Sequence, residues 1–349
     1  MAQFHSLTVK TIKSLTPGSV AITFNIPKDL IQTFDFIPGQ YITIKKELKG
    51  NVLRRAYSIS SAPKKDTFTI GVKKVDKGGF SDFANTKLAV GDVLDIMPPE
   101  GRFVFSPNPN PKNIAAFAAG SGITPIMSIA RSVLDSNPTN KFVLVYGNKS
   151  TEETMFYTDL TKLELEYSNR FFVYFTNSQT REEDSLFGRI DVSTVNYALK
   201  NKHNDVDFDG YYLCGPEAMI NLVSDTLKEN EVDEEKIHFE LFTTTEILDE
   251  LPVKVDGQTE VSIVLDDEEF KFSMDKKTLV LDAVLKENID APYSCQGGVC
   301  SSCIARVIEG KVEMVKNQIL TDGEIEEGLV LTCQAHPTTA TVKIDYDDV

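Results

Sequence analysis

The sequence predicts a multidomain chain: an antiparallel β-barrel, then a parallel α/β domain, then a small α+β unit. Three observations carry this expectation. Short apolar or alternating runs fill the first hundred or so residues, strands and amphipathic helical segments alternate up to about residue 242, and four of the five cysteines fall after residue 294. With 349 residues, 41% of them hydrophobic, the chain is long enough for two or three separate cores. The expected boundaries are 1–106, 107–245 and 246–349.

In the first segment AITFNI, QYITIKK, AYSIS, TFTIGVKKV and VLDIMP read as strands. Pro/Gly turns such as Pro38-Gly39 separate them, and short strands at this spacing suggest a barrel. The texture changes near Asn108-Pro109-Asn110-Pro111. Beyond it NIAAFAA, KFVLVYG, RFFVYF, GYYLC and KIHFELF read as strands, and ITPIMSIARSVLDS, TMFYTDLTKLELE and EAMINLVSDTLKEN read as helices. That alternation is the pattern of a parallel sheet. Thr243 to about Asp256 has no clear period and is expected to be a connection. The remainder has strands at VSIVL, EFKFSM, CIARVIEG and TVKID and a helix at LVLDAVLKEN.

Composition narrows the function classes. The formal charge is −16, and from Glu246 onward 22 acidic face 9 basic side chains, a local balance of −13. Nucleic acid is therefore not an expected partner. The acidic surface suits a basic face on another protein, or serves solubility alone. The N-terminus MAQFHSLTVKTIKSL has no apolar signal-like region, and nowhere do about 18 uncharged apolar residues run together. A cytoplasmic protein without membrane insertion is expected.

The strongest chemical signal is Cys295-x4-Cys300-x2-Cys303, followed after 29 residues by Cys333. This spacing matches the plant-type ferredoxin arrangement for a 2Fe-2S cluster. Gly297 and Gly298 allow the backbone to fold closely around an anionic centre and turn N–H groups toward sulfur. Four thiolates would also satisfy a structural zinc ion, but zinc ribbons favour paired short knuckles. A Rieske centre is excluded because His336 has no matching second ligand pair.

Three further strings support a resemblance: Arg55-Ala56-Tyr57-Ser58, Gly120-Ser121-Gly122-Ile123-Thr124-Pro125 and Cys214-Gly215-Pro216. With SCQGGVCSSC and LTCQA, the chain resembles, over essentially its whole length, the ferredoxin-NADP reductase-type oxygenase reductases that carry a C-terminal 2Fe-2S ferredoxin domain. The resemblance implies a flavin-binding barrel, a nucleotide-binding α/β domain and a β-grasp-like ferredoxin domain.

It implies that Arg55 pairs with flavin phosphate, Tyr57 stacks on the isoalloxazine and Ser58 bonds its reactive edge. A guanidinium fork suits phosphate and an aromatic face suits a planar ring. Val72 and Lys73 in GVKKV, with Gly79, Phe80 and Ser81, resemble the segments that hold ribityl and pyrophosphate by backbone amides at a helix start. That second anchoring site points to FAD over FMN. The alternative there is an ordinary turn, with Gly79 at positive φ and Ser81 as N-cap.

For the nicotinamide nucleotide, the resemblance implies binding by Gly120, Gly122, Thr124 and Pro125 at a strand-to-helix turn. Cys214, Gly215 and Pro216 would lie beside the nicotinamide; the alternative is a buried cysteine before a helix with proline at its start. Glu240, in Glu240-Leu241-Phe242, is a candidate proton relay to reduced flavin or else a solvated strand residue. Thr176, Asn177 and Arg181 fall where the family reads the nucleotide ribose. No acidic residue directly follows the strand, and Arg181, Lys149 or Arg189 can meet a 2′-phosphate, so NADPH is expected, with NADH as the alternative. The catalytic set is then Ser58, Cys214 and Glu240.

The implied activity passes electrons from NAD(P)H through FAD and the 2Fe-2S cluster to an oxygenase or hydroxylase partner. YGNK and Met155-Phe156 resemble most the reductase subunits of phenylacetyl-CoA epoxidase systems, and reductases of steroid or aromatic-ring hydroxylases share the domain order. A redox-sensing adaptor without turnover is the reading from another class.

Overall fold

The computed structural model describes residues 3–76, 78–106, 112–242 and 256–349. The Asn108–Pro111 stretch and nearly all of the expected connection lie outside the described residues. Residues 5–242 form one compact unit, and the described residues of the other are 3–4 and 256–349.

The first unit opens with six antiparallel strands: β1 (His5–Thr16), β2 (Ser19–Asn25), β3 (Tyr41–Leu48), β4 (Asn51–Ser58), β5 (Thr67–Lys73) and β6 (Val93–Ile96). They pair in the order β4-β3-β6-β1-β2-β5. A bridge between Ile59 and Ile70 brings the two end strands together and closes the barrel. Strand β1 is absent from the sequence reading because its register against β2 shifts between Val9 and Thr11, which breaks the period-two pattern. Inward residues such as Leu7, Ile22, Phe24, Ile42 and Phe68 make the core, and helix α1 (Gly79–Thr86) seats Phe80 on it.

Six parallel strands follow: β7 (Ile114–Ala119), β8 (Phe142–Asn148), β9 (Phe171–Asn177), β10 (Leu186–Phe187), β11 (Gly210–Cys214) and β12 (Ile237–Glu240). Their order is β10-β9-β8-β7-β11-β12. The chain therefore steps outward on one side of β7 and returns to its other side with β11. This reversal is the switch point at which open α/β sheets bind ligands. The helices are α2 (Ile123–Ser136), α3 (Tyr157–Glu166), α4 (Val192–Asn196), which continues as a π-helical turn over Tyr197–Lys202, and α5 (Glu217–Glu229). The expected helix from Thr154 begins later, at Tyr157, because Phe156 takes φ 59°. Helix α4 escaped the sequence reading: its β-branched VSTV has no helical signature, and Asp191 starts it by accepting from the Thr194 amide at 2.8 Å.

The C-terminal unit contains β13 (Gln258–Leu265), β14 (Glu268–Asp275), α6 (Val280–Lys286), β15 (Ile304–Glu309), β16 (Val312–Met314), α7 (Asp322–Glu326), β17 (Leu329–Leu331), β18 (Ala335–Pro337) and β19 (Thr341–Asp345). Its five-stranded sheet has the order β14-β13-β19-β15-β17, with β13 and β19 parallel at the centre. Helix α6 packs Val280, Leu281 and Val284 into the same core as Val261, Ile263, Leu331 and Ile344. This is the β-grasp-like arrangement.

Phe68 is fully buried and packs on Phe34 at 5.9 Å and Phe24 at 5.3 Å. Phe68→Ala is expected to lower the stability of the 5–242 unit by about 3–5 kcal/mol, read from urea unfolding followed by circular dichroism.

Candidate functional site

Strand β4 delivers the first set. Arg55 is exposed and its Nη1 donates to the Arg54 carbonyl at 2.7 Å, so the guanidinium stays at the surface where a phosphate can reach it. Tyr57 packs at a tilt on Phe80 at 5.5 Å, and burial pushes its phenol well above the ordinary range. Ser58 is buried and donates its hydroxyl to Glu240 Oε2 at 3.5 Å.

The end of β5 and the turn after it supply the second set. Val72 points into the barrel core and its carbonyl accepts from Asn85 Nδ2, so it offers a ligand no side chain. Lys73 turns toward the nucleotide side: its Nζ lies 3.9 Å from where a Cβ on Gly120 would stand. Gly79 has no positive φ and Ser81 is not the N-cap; Gly78 caps α1 in extended conformation. A Cβ on Gly79 would meet Leu53 Cδ1 at 2.6 Å, so a larger residue there must move the Leu53 side chain. The Ser81 hydroxyl accepts from the Val75 amide at 3.3 Å and ties the loop to the helix start. The amides of Gly79, Phe80 and Ser81 thus form the first turn of α1, where backbone donors lack helical partners.

On the nucleotide side β7 ends in a 3-10 turn over Gly120–Gly122 that runs into α2. Gly120 has φ +55°, and Tyr146, fully buried, donates its hydroxyl to the Gly120 carbonyl at 2.8 Å. A Cβ on Gly122 would stand 2.0 Å from the Cys214 carbonyl oxygen, so this turn and the end of β11 touch backbone to backbone. Gly215 is similarly enclosed: its Cβ would meet Met219 Cε at 2.8 Å and the Ala119 amide at 3.1 Å. Thr124 donates to the Ser121 carbonyl at 3.0 Å, and Pro125 sits in the first turn of α2, where a missing N–H costs nothing. Pro216 is the N-cap of α5.

Cys214 is wholly buried, and burial together with the Glu240 carboxylate pushes its thiol far up. It remains a thiol and shapes the wall. Glu240 is also buried, and desolvation raises it to about 8, opposed by the Ser58 hydroxyl. Ser58, Cys214 and Glu240 therefore meet at the ends of three strands.

The ribose-side residues serve a loop. Thr176 donates to the Gly188 carbonyl at 3.1 Å, and Asn177 donates to Thr151 and Ser185. Both are buried, so they hold the β9–β10 loop in place. Arg181 lies over the Phe187 ring at 4.4 Å, and Lys149 faces Glu153 at 3.9 Å. Glu182, Glu183 and Asp184 line an adjoining cleft of about 80 Å³ with Thr151 and Tyr157. Glu182 accepts from both Thr151 and Thr180.

In the C-terminal unit the four thiols converge. All are free: Cys300, Cys303 and Cys333 are buried and Cys295 is half-buried. Cys295 contacts Cys300 and Cys333, and Cys303 contacts Cys333. Cys295 and Cys303 are pulled down because neighbouring cysteines donate to their sulfurs, and Cys300 and Cys333 are pushed up because they hold those protons, with burial and repulsion between sulfurs adding to the rise. Only a positive centre lets all four ionise together. The three contacts link the four sulfurs in the order Cys300, Cys295, Cys333, Cys303. Four thiolates is the number a 2Fe-2S cluster takes. The loop agrees: the Gly297 amide donates to Cys295 Sγ at 3.3 Å, and Gly298, at φ +71°, has Lys316 O and Gln334 Cγ each 3.0 Å from a would-be Cβ. Sequence reasoning missed Gln334, whose Nε2 donates to the Gln296 and Cys333 carbonyls and straps the loop to the distant cysteine. Its place beside Cys333 was the available signal.

Family models match all three parts in order. They are an oxidoreductase FAD-binding domain over residues 6–105, an oxidoreductase NAD-binding domain over 117–225 and a 2Fe-2S iron-sulfur cluster binding domain over 263–338. One component of the 1,2-phenylacetyl-CoA epoxidase of Escherichia coli (strain K12) is 36% identical over 353 aligned positions, covering 99% of each chain. The chain belongs to the ferredoxin-NADP reductase-type reductases with a fused 2Fe-2S ferredoxin domain. As a member it is a flavin and iron-sulfur oxidoreductase that uses FAD, NAD(P)H and a 2Fe-2S cluster. The ferredoxin reductase component of 3-ketosteroid-9-alpha-monooxygenase from Rhodococcus rhodochrous is 32% identical, covering 97% of this chain and 96% of its own. Phthalate dioxygenase reductase matches in structure with a TM-score of 0.62 at 21% identity, covering 98% of both chains. An intact type IV self-sufficient cytochrome P450 monooxygenase matches at TM-score 0.71 and 23% identity, over 98% of this chain and 41% of that one. At these identities the structural likenesses show the fold. No helix among the described residues is long and apolar enough to cross a membrane.

Gly122→Ala must displace the Cys214 backbone. It is expected to cost about 1–3 kcal/mol of stability and to raise the KM for nucleotide more than it lowers kcat, checked by steady-state dye reduction beside thermal unfolding.

Proposed function

We propose that this reductase draws a hydride from NAD(P)H and delivers single electrons through its 2Fe-2S cluster to an oxygenase of the phenylacetyl-CoA epoxidase kind. The observation that carries the electron-entry site is the contact of Ser58 with Glu240, 182 residues apart, beside the buried Cys214. It joins the end of a barrel strand to the ends of two parallel strands, where a flavin edge and a nicotinamide would meet. FAD, when bound, supplies the conversion of a two-electron hydride into single electrons.

The residues divide the work. Arg55 and the first-turn amides of α1 anchor the flavin phosphates, and Tyr57 flanks the ring. Gly120, Gly122 and Thr124 shape the nucleotide turn, with Lys73 as the nearby cation. Cys214, Gly215 and Pro216 form the nicotinamide wall, and Cys214, held as a thiol, excludes water without acting as a nucleophile. Glu240 carries a proton at neutral pH and shares it with Ser58 as a relay toward reduced flavin. For the ribose we take Arg181 as the cation that meets a 2′-phosphate, which favours NADPH, with Glu182, Glu183 and Asp184 opposing it. Cys295, Cys300, Cys303 and Cys333 ligate the cluster. Fusion in one chain keeps the electron acceptor at high local concentration.

The epoxidase assignment rests on the Escherichia coli relative and its full-length match; the steroid monooxygenase component from Rhodococcus rhodochrous supports a ring-hydroxylating partner as the second reading.

Anaerobic titration with NADPH and with NADH tests the assignment, with flavin, iron and sulfide analysed on the same sample. Bleaching of flavin and reduction of the cluster support it; a protein without flavin, or one carrying zinc, contradicts it. Cys333→Ser is expected to lose the cluster signal while keeping most dye reduction by NAD(P)H, since the flavin site is in the other unit. Glu240 is protonated below about 8. A proton-donating role therefore gives a rate that is high at neutral pH and falls as pH rises through that value. In Glu240→Gln this limb is expected to disappear, read from the pH profile of kcat.

A further inference from the structure

Tyr346 follows the last residue of β19 and is held in place on three sides. Its amide donates to the Val264 carbonyl at 3.0 Å. The next residue, Asp347, accepts from the amides of Asp266 and Asp267 at 2.9 and 2.8 Å, and Asp348 pairs with Arg306 at 3.1 Å. The ring is thereby driven into the core that contains Cys303, Leu331 and Cys333, and only 6% of the residue is exposed.

Its hydroxyl is buried and has no hydrogen-bond partner, a costly condition for a phenol. The Thr332 side chain is a polar neighbour, and Cys303 and Cys333 act on the hydroxyl electrostatically. Thr332 has already committed its own proton to the Cys303 carbonyl at 3.0 Å, so toward Tyr346 its Oγ1 can only accept. The Tyr346 proton is uncommitted, and ligation would add thiolate sulfur to Thr332 Oγ1 as an acceptor for it.

We propose that Tyr346 raises the reduction potential of the 2Fe-2S centre by aiming its hydroxyl proton at the thiolates of Cys303 and Cys333. The inference rests on the four-cysteine ligation proposed above and goes beyond it. One electron arrives, no proton is transferred and no bond is made or broken; the O–H dipole stabilises the added negative charge at sulfur. Hydrogen bonds to cluster sulfurs are among the determinants of such potentials. Tyr346 is therefore a positioning residue for charge, acting through the ligands.

The test uses the full-length holoprotein and a dye-mediated redox titration followed by electron paramagnetic resonance. Tyr346→Phe keeps the ring and removes the donor. It is expected to lower the equilibrium constant for cluster reduction by about three- to tenfold, the upper limit being about 59 mV for a one-electron couple. An unchanged or raised potential with two irons still bound overturns the inference. Replacing Tyr346 by 3-fluorotyrosine, a stronger donor of nearly the same size, is expected to shift the potential the opposite way. That substitution decides the matter if Tyr346→Phe assembles no cluster, and a shift downward or none at all contradicts the proposal. Iron and sulfide analysis of the unsubstituted protein separates the two levels. Absence of two irons there removes the ligation reading itself, whereas two irons with a potential indifferent to Tyr346 removes only this inference.

Discussion

No side chain fits between the turn that ends β7 and the turn that ends β11. A Cβ on Gly122 would stand 2.0 Å from the Cys214 carbonyl, and one on Gly215 would press on Ala119. Neighbouring parallel strands therefore leave the sheet with their backbones in contact, and the helices α2 and α5 start side by side at the switch point. The barrel is fastened to the same place: Ser128 donates to the Ser61 carbonyl at 2.7 Å, and a Cβ on Gly71 would meet Thr124 at 2.7 Å. Close backbone approach is what brings Ser58 to Glu240, and the proposed hydride site inherits its geometry from that packing.

Electrostatics supplies the second constraint. At the strand ends, burial without a neighbouring cation keeps Cys214 and Glu240 protonated, so the pocket there is neutral and can accept a planar, partly charged ring pair. In the C-terminal unit the four thiols face the opposite situation: they crowd until only a cationic centre can relieve them. One chain thus holds an uncharged site suited to hydride chemistry and a charge-demanding site suited to iron. A redox-sensing adaptor would have no need of a proton-holding acid at the first of these.

Much of the architecture was legible because its signals are local. The cysteine spacing, the glycine turn after NIAAFAA and the strand-helix alternation each occupy a short window, and helix α2 begins and ends where its apolar period does. The failures have physical causes. The bulge in β1 hid its alternation, and the VSTV helix depends on an aspartate cap rather than on propensity. The alternative of an ordinary turn at Gly79 and Ser81 fails because Gly79 has no positive φ and Gly78 is the cap, and the Leu53 side chain, from another strand, packs where a Cβ on Gly79 would stand. Gln334, Thr332 and Tyr346 gain their meaning only when β17, β19 and the cysteine loop meet. Likewise, Glu240 could be named from its family position, but its burial and its Ser58 contact arise from residues far away in sequence.

The central claim is that electrons reach the cluster only by way of the flavin. The most direct measurement is anaerobic single-turnover mixing with NADPH, comparing the flavin-loaded protein with the same protein stripped of flavin but retaining its two irons. The expected result is flavin bleaching followed by cluster reduction in the loaded protein and an oxidised cluster in the stripped one, restored by added FAD. Reduction of the cluster by NADPH at an undiminished rate without flavin would contradict the account.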